Sequence, residues 1–269
     1  MKNQSLRLFA TLVFTLAAFG YAHAQNNDIK VPLSNPGKSG HLKIDVVHAE
    51  DIEVEAYDGQ EVIVKFDSDD DDRDRVNRRN GLRRISTNGV GLEITEDNNK
   101  VDIRADVNSH DLELKVMVPR NFSVKINAVH GDVTVLAVEG EVEIESVNGD
   151  VEMNGLLGAA LVNSVNGDIE VRFSKVKAGT PMSFTGVNGD IEISFPENTK
   201  FSARMKTEWG DIYTNFDMNI NQQPNKTEVS KNKGKYKVSV NKWVYGDVNG
   251  GGPEFLFKTL HGDISIRKN

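Results

Sequence analysis

The chain has no cysteine in 269 residues, only seven prolines, and aromatic side chains at 7%. Without Cys there is no disulfide frame, no thiolate nucleophile, no Cys-ligated zinc and no lipid-modified N-terminal Cys. Basic charge is also short. Lys and Arg number 32 against 40 Asp and Glu, and the formal net charge is −8. That balance counts against nucleic acid as the main partner, because phosphate binding needs a basic surface. Past residue 25 no apolar run approaches the roughly 20 residues of a membrane-spanning helix. No window there carries a 3.6-residue apolar stripe either; the nearest, Arg73 to Arg84, is almost wholly polar. What remains, 38% hydrophobic and 27% charged, suffices for a folded core in one large β domain or two ordinary ones.

The first 24 residues read as a cleavable export signal. Lys2 and Arg7 form a positive start, Leu8 to Phe19 an apolar stretch, and Ala22-His23-Ala24 a small-x-small cleavage site before Gln25. Its loss removes two positive charges and no acids, taking the net charge from −8 to −10. The sequence thus predicts a protein that does not span a membrane, in the periplasm or at the cell surface, and residues 25–269 as one β domain.

Against these absences stands a repeat. Apolar–x–Gly–Asp–apolar–x–apolar recurs at Val129-His130-Gly131-Asp132-Val133, Val147-Asn148-Gly149-Asp150-Val151, Val165-Asn166-Gly167-Asp168-Ile169 and Val187-Asn188-Gly189-Asp190-Ile191. Looser copies follow at Trp209-Gly210-Asp211, Tyr245-Gly246-Asp247 and His261-Gly262-Asp263, and Val47-His48-Ala49-Glu50-Asp51 reads as a degenerate first copy. The glycines are spaced 18, 18, 22, 21, 36 and 16 residues apart. A period near 20 with fixed punctuation means stacked units. Asn148, Gly149, Asp150, Asn166, Gly167, Asp168, Asn188, Gly189 and Asp190 are therefore read as structural turns, with Gly supplying positive φ and Asp a local hydrogen-bond acceptor. Flanks such as Ile191/Ile193/Phe195 against Glu192/Ser194 alternate as half-buried strands do.

Two all-β architectures fit. In an antiparallel meander each Asn-Gly is a hairpin. In a β-solenoid each unit is one coil, equivalent residues stack about 4.8 Å apart, and Val151, Ile169 and Ile191 form one buried column. An exported chain with tandem V-N-G-D-[VI]-E units resembles the bacterial adhesin-like family of exported β-repeat proteins of unknown function, related to head-domain adhesin-like proteins. The resemblance covers residues 40–269 and is clearest over 129–193. It implies a single-stranded right-handed parallel β-helix, an envelope or surface location and no established enzymatic activity; no cofactor is expected. Regular rungs are expected over about 125–215; the region 60–118 departs from the pattern.

Two segments lie outside the repeat. Residues 67–84 form an acid block, Asp69 to Asp72, followed by six arginines, and read as a solvated loop. They fail as an EF-hand, since Asp72 takes the Gly position and Arg78 the terminal Glu. Residues 219–242, with six lysines, read as a polar insertion, and Gly250-Gly251-Gly252-Pro253 as a corner. Gly37-Lys38-Ser39 lacks the first Gly of a phosphate loop, which is Pro32 here.

Chemistry is confined to repeated groups. Asp132, Asp150, Asp168 and Asp190 form a carboxylate ladder that either satisfies turn N–H groups or binds cations. Glu152, Glu170 and Glu192 form a second acidic column, but a catalytic pair would break the repeat at one rung and none does. His48, His130 and His261 sit at equivalent turns, in isolated copies expected in rungs far apart, and read as exposed turn histidines. Trp209 and Tyr245, in the same slot, are candidate partner contacts. Three functions follow: a non-enzymatic binder of a surface polysaccharide or envelope protein, a carbohydrate-active β-helix enzyme, or a self-associating structural element of the envelope.

Overall fold

The computed structural model describes residues 28–68, 78–79, 82–83, 91–105, 112–221, 227–232, 235–240 and 243–269. The segment read as an export signal, the acid block and much of its arginine run lie outside the described residues, as does part of the Lys-rich stretch. Among the described residues there is no helix, and the regular structure is β throughout.

Each coil gives one strand to each of two sheets and turns between them at the Gly-Asp corner. In the coil 142–156, Val142, Ile144, Val151 and Met153 point inward and are buried, while Glu143 and Glu152 point out. This is the two-residue alternation of a strand with one face in the core. Neighbouring coils pair in parallel and in register: Val142–Asn148 on Ala160–Asn166, and Val151–Leu156 on Ile169–Phe173. Val151, Ile169 and Ile191 are direct neighbours in one buried column. Parallel pairing rejects the hairpin meander, because a hairpin can join only antiparallel strands. The solenoid is the fold.

The spatial order of coils is not the order in the chain. Following hydrogen-bonded neighbours, the coils run 100–119, 41–57, 123–136, 142–156, 160–173, 182–195, 254–268 and 201–214. At each end, a coil distant in sequence is inserted one place inward. His41–Tyr57 lies between Lys100–Ala105 with Leu112–Pro119 on one side and Ser123–Leu136 on the other. The last Gly-Asp copy lies between two coils consecutive in the chain.

Both ends finish in antiparallel strands. Leu92–Asp97 covers Lys100–Ala105, and Glu61–Ser68 with Ile29–Pro32 extends the other sheet. At the far end Val244–Val248 covers Phe201–Lys206 and Met218–Asn221 covers Val244–Val248 in turn, while Ile212–Thr214 is the outermost strand of the other sheet. The copy read at Tyr245-Gly246-Asp247 is therefore not a corner. Gly246 sits inside a strand, where a Cβ would come within 2.4 Å of the Met218 sulfur. The spacing of 36 thus marks no coil: between Thr214 and Glu254 the described strands Met218–Asn221 and Val244–Val248 lie outside the parallel stack.

The core changes character along the axis. Val and Ile fill the early coils; Phe173, Phe184, Phe195, Phe201, Phe255 and Phe257 fill the late ones and are all fully buried. Phe195 and Phe201 approach Phe255 at ring-centroid distances of 5.4 and 4.8 Å, and Phe184 stacks on Phe257 at 5.5 Å.

Candidate functional site: the corner ladders and the trough beside them

The corner carries three ladders, each one residue wide. The Gly ladder lies innermost. Its members have φ of 132° at Gly149, 139° at Gly167 and 138° at Gly189, a region L side chains rarely adopt. A Cβ at Gly167 would also meet the Gly149 carbonyl oxygen at 2.1 Å. The coil 41–57 has Ala49 at this level and accommodates it with an extra residue, the register shifting between His48 and Asp51.

The Asp ladder is a continuous hydrogen-bond chain. The backbone N–H of Asp150 donates to Asp132 Oδ1 at 2.8 Å, Asp168 to Asp150 at 2.8 Å and Asp190 to Asp168 at 2.8 Å. It continues through the inserted coil, with Asp263 donating to Asp190 at 2.7 Å and Asp211 to Asp263 at 2.8 Å. Each of these acceptors spends one oxygen on the next coil. Among the described residues no group of three or more His, Cys, Asp or Glu side chains is arranged to hold a metal ion.

The third ladder reads His48, His130, Asn148, Asn166, Asn188, His261, Trp209. Asn166 Nδ2 donates to Asn148 Oδ1 at 2.9 Å, and Asn188 Nδ2 to Asn166 Oδ1 at 2.8 Å. His48 and His130, far apart in sequence, are in neighbouring coils with ring centroids 4.6 Å apart. The expectation of isolated histidines fails for this pair because coil 41–57 is inserted beside 123–136. Trp209 ends the ladder, 71% exposed and stacked 6.3 Å from His261. Tyr245 does not share its slot; it lies on the antiparallel strand opposite Arg204.

One residue before this ladder runs an aliphatic row: Val47, Val129, Val147, Val165, Val187 and Leu260. All but Val47 are exposed, at 36–40%. Singly, exposed valines are ordinary; a contiguous row is not. The five valines of the row form one wall of a trough of about 830 Å³ along the outer side of the first sheet. The opposite wall is polar: Asp45, Asn127, Glu145, Asn163, Thr185 and Lys258. A second depression of about 460 Å³ continues toward the strand starts, between Lys43, Lys125, Glu141, Glu143, Leu161 and Pro181. These walls were not read from the sequence, although the valine before each Asn-Gly was visible as part of the motif.

Electrostatically the trough is mixed. Burial raises the Asp45 carboxyl, but hydrogen bonds from Lys43 at 2.6 Å and Asn127 at 2.6 Å, with the charges of Lys43 and Arg104, outweigh it and hold it below its ordinary value. Asp45 is thus an anion at neutral pH and no proton donor. Lys125 bonds Glu143 at 2.8 Å and Glu145 at 3.5 Å. At the far end Arg204 lies over the Trp243 ring, 4.2 Å from its centroid. The second acidic column, Glu152–Glu170–Glu192, is in register on the opposite sheet, with Arg172 on Glu170 and Arg267 on Glu192.

No curated protein matches the chain. Among solved structures it is similar to a crystal structure described as a "putative cell adhesion protein" from Clostridium sporogenes. The two share 11% identity and a TM-score of 0.42, with 91% of this chain and 99% of that one covered. The family model described as Toastrack DUF4097 matches residues 23–249, most of the chain, including all the corner ladders except the inserted 254–268 coil. The chain belongs to the Toastrack DUF4097 family.

Proposed function

We propose that the protein is exported to the cell envelope or surface. There it works as a non-enzymatic binding solenoid that holds a linear polysaccharide in the trough beside its corner. The observation that carries this reading is the pairing of an unbroken aliphatic wall with a polar wall over successive coils. Both walls run along the solenoid axis, across the strands. An extended peptide gains its main-chain bonds by lying along a strand edge, which this direction does not offer. A sugar polymer needs no such edge. Its C–H faces suit the valines, and its hydroxyls suit Asn127, Asn163 and Thr185. Repetition at about 4.8 Å gives successive sugars similar surroundings. Trp209 and Trp243 at the far end offer ring faces.

The test is a glycan array probed with the purified protein and with a Val147→Glu/Val165→Glu variant. Retention of linear glycans, weakened at least tenfold in the variant and with the glycans recovered intact, supports the reading. Capture of an envelope protein with no glycan retained would replace the polysaccharide by a protein partner. Cleaved glycans would favour an enzyme, and equal retention by both forms would move the site elsewhere.

A further inference from the structure

The coil 254–268 is lodged between coils 182–195 and 201–214, which are consecutive in the chain. We propose that this coil exchanges between copies: residues 254–269 of one molecule fill the same slot in a second, and the reverse, giving a domain-swapped dimer.

Everything that holds the coil is non-covalent and is reproduced by any copy. Glu254–Lys258 pairs in parallel with Met182–Thr185 on one side and Ser202–Lys206 on the other. Phe255 enters between Phe195 and Phe201, and the corner bonds of Asp263 run to both neighbours. A second copy's coil makes the same contacts, so the swapped and unswapped forms differ only in the hinge and in association entropy.

The hinge is residues 249–253. The strand Val244–Val248 lies against one edge of Phe201–Lys206, and Glu254–Lys258 against its other edge. The connection must therefore cross the end of that strand. It does so through three successive left-handed residues, Asn249, Gly250 and Gly251, at φ of 52°, 90° and 79°. Asn249 is held there by bonds from its Nδ2 to the Glu197 and Thr199 carbonyls, at 2.9 and 2.8 Å. Straightening this turn relaxes an uncommon backbone and leaves the pairing of Val244–Val248 intact. Tight, strained hinge loops favour exchange. The slot itself adds a competition. Ile191 and Ile212 both register on Ile264, so the flanking coils present matching residues to each other. While the slot stands empty during folding, it either closes or takes a coil from solution, and capture rises with protein concentration.

The absence of native Cys allows a direct test. Ser183 and Leu256 are neighbours in register on the outward face. Full-length copies carrying Ser183→Cys and, with a different tag, Leu256→Cys are unfolded, mixed at high concentration, refolded and oxidised. The expected result is a fraction of twice the monomer mass by light scattering, containing disulfides between differently tagged chains. Deleting Gly250 and Gly251, which removes two of the three left-handed residues and tightens the crossing, is expected to raise the dimer share at least fivefold. If the deletion does not fold, the tagged pair decides alone. Monomer at every concentration overturns the proposal. So does a dimer without cross-chain disulfides, provided the Ser183→Cys/Leu256→Cys double variant forms its disulfide within one chain.

Discussion

At a corner glycine two demands coincide: a backbone conformation with positive φ and a carbonyl oxygen of the next coil where a side chain would begin. Gly167→Ala is expected to cost at least about 3 kcal/mol, since backbone strain of about 1–3 kcal/mol adds to a contact that only main-chain movement relieves. Gly179 separates the two effects, having φ of 76° and nothing within 4 Å of a built Cβ. Gly179→Ala is expected to cost about 1–2 kcal/mol, the conformational part alone. Urea unfolding of both variants checks the difference. The buried hydroxyls of Ser146 and Ser164 have no hydrogen-bond partner. A buried hydroxyl without a partner costs about 1–3 kcal/mol, so Ser146→Ala and Ser164→Ala are each expected to leave stability unchanged or raise it by about 1 kcal/mol. A loss above that in the same assay would reveal a bond formed by rotation of the hydroxyl.

Among the elements, the end cap near residue 96 is tied by Asn99, whose side chain bonds the Asn35 backbone, and by one carboxylate. Glu96 Oε1 accepts the N–H groups of Ser34 at 3.0 Å and Asn99 at 2.9 Å, and Oε2 accepts the Ser34 hydroxyl at 3.0 Å. The bonds from the Ser34 and Asn99 backbone hold its pKa below the ordinary 4.5. A depressed folded-state pKa contributes stability that is present above the unfolded value and lost as pH falls through the folded one. Glu96→Gln is therefore expected to flatten the stability–pH curve below about pH 4.5, with thermal melts from pH 2.5 to 6 as the measurement. Identical slopes would assign the acid limb to other carboxylates.

It is also among the elements that the reach of the sequence is clearest. The alternation around Val151, Ile169 and Ile191 gave the buried column, because one face of each strand must be apolar whatever its neighbours are. Which coil stacks on which was not legible. Equivalent repeats offer equivalent edges, and nothing in the Gly-Asp motif distinguishes coil 201–214 from coil 254–268 as the neighbour of 182–195. The phenylalanines supply the distinction: Phe255 and Phe257 fit among Phe184, Phe195 and Phe201, a match visible only in three dimensions. Tyr245-Gly246-Asp247 misled for the same reason, as its local pattern is that of a corner and only its antiparallel partners make it a strand. The trough was hidden too, since its valine row needs the coils side by side.

For the whole molecule, insertion alters where unfolding begins. A solenoid stacked in chain order would fray from its last coil. Here Glu254–Lys258 and Ile264–Ile266 are flanked on both sides, whereas Ile212–Thr214 and Met218–Asn221 are outermost. Amides lacking a neighbour on one side open at lower free energy than those inside the stack. Hydrogen exchange of the native protein is expected to show 254–258 and 264–266 at least tenfold more protected than 212–214 and 218–221. The reverse order would mean that the inserted coil opens on its own without the rest.

The Asp ladder has a direction. Every carboxylate in it except the last, Asp211, accepts an N–H hydrogen bond from the coil on the same side, so the row has a head and a tail, like a line of people each with a hand on the shoulder in front. Stacked end to end, copies could meet only head to tail, a contact that repeats without closing and would grow a fibre. In the sheet that carries the trough, antiparallel strands at both ends, Leu92–Asp97 and Val244–Val248, break this growth, because an antiparallel edge spaces its hydrogen bonds differently from the parallel edge that another coil would need. That sheet therefore carries its own terminators, and the length of the trough is a property of the single chain.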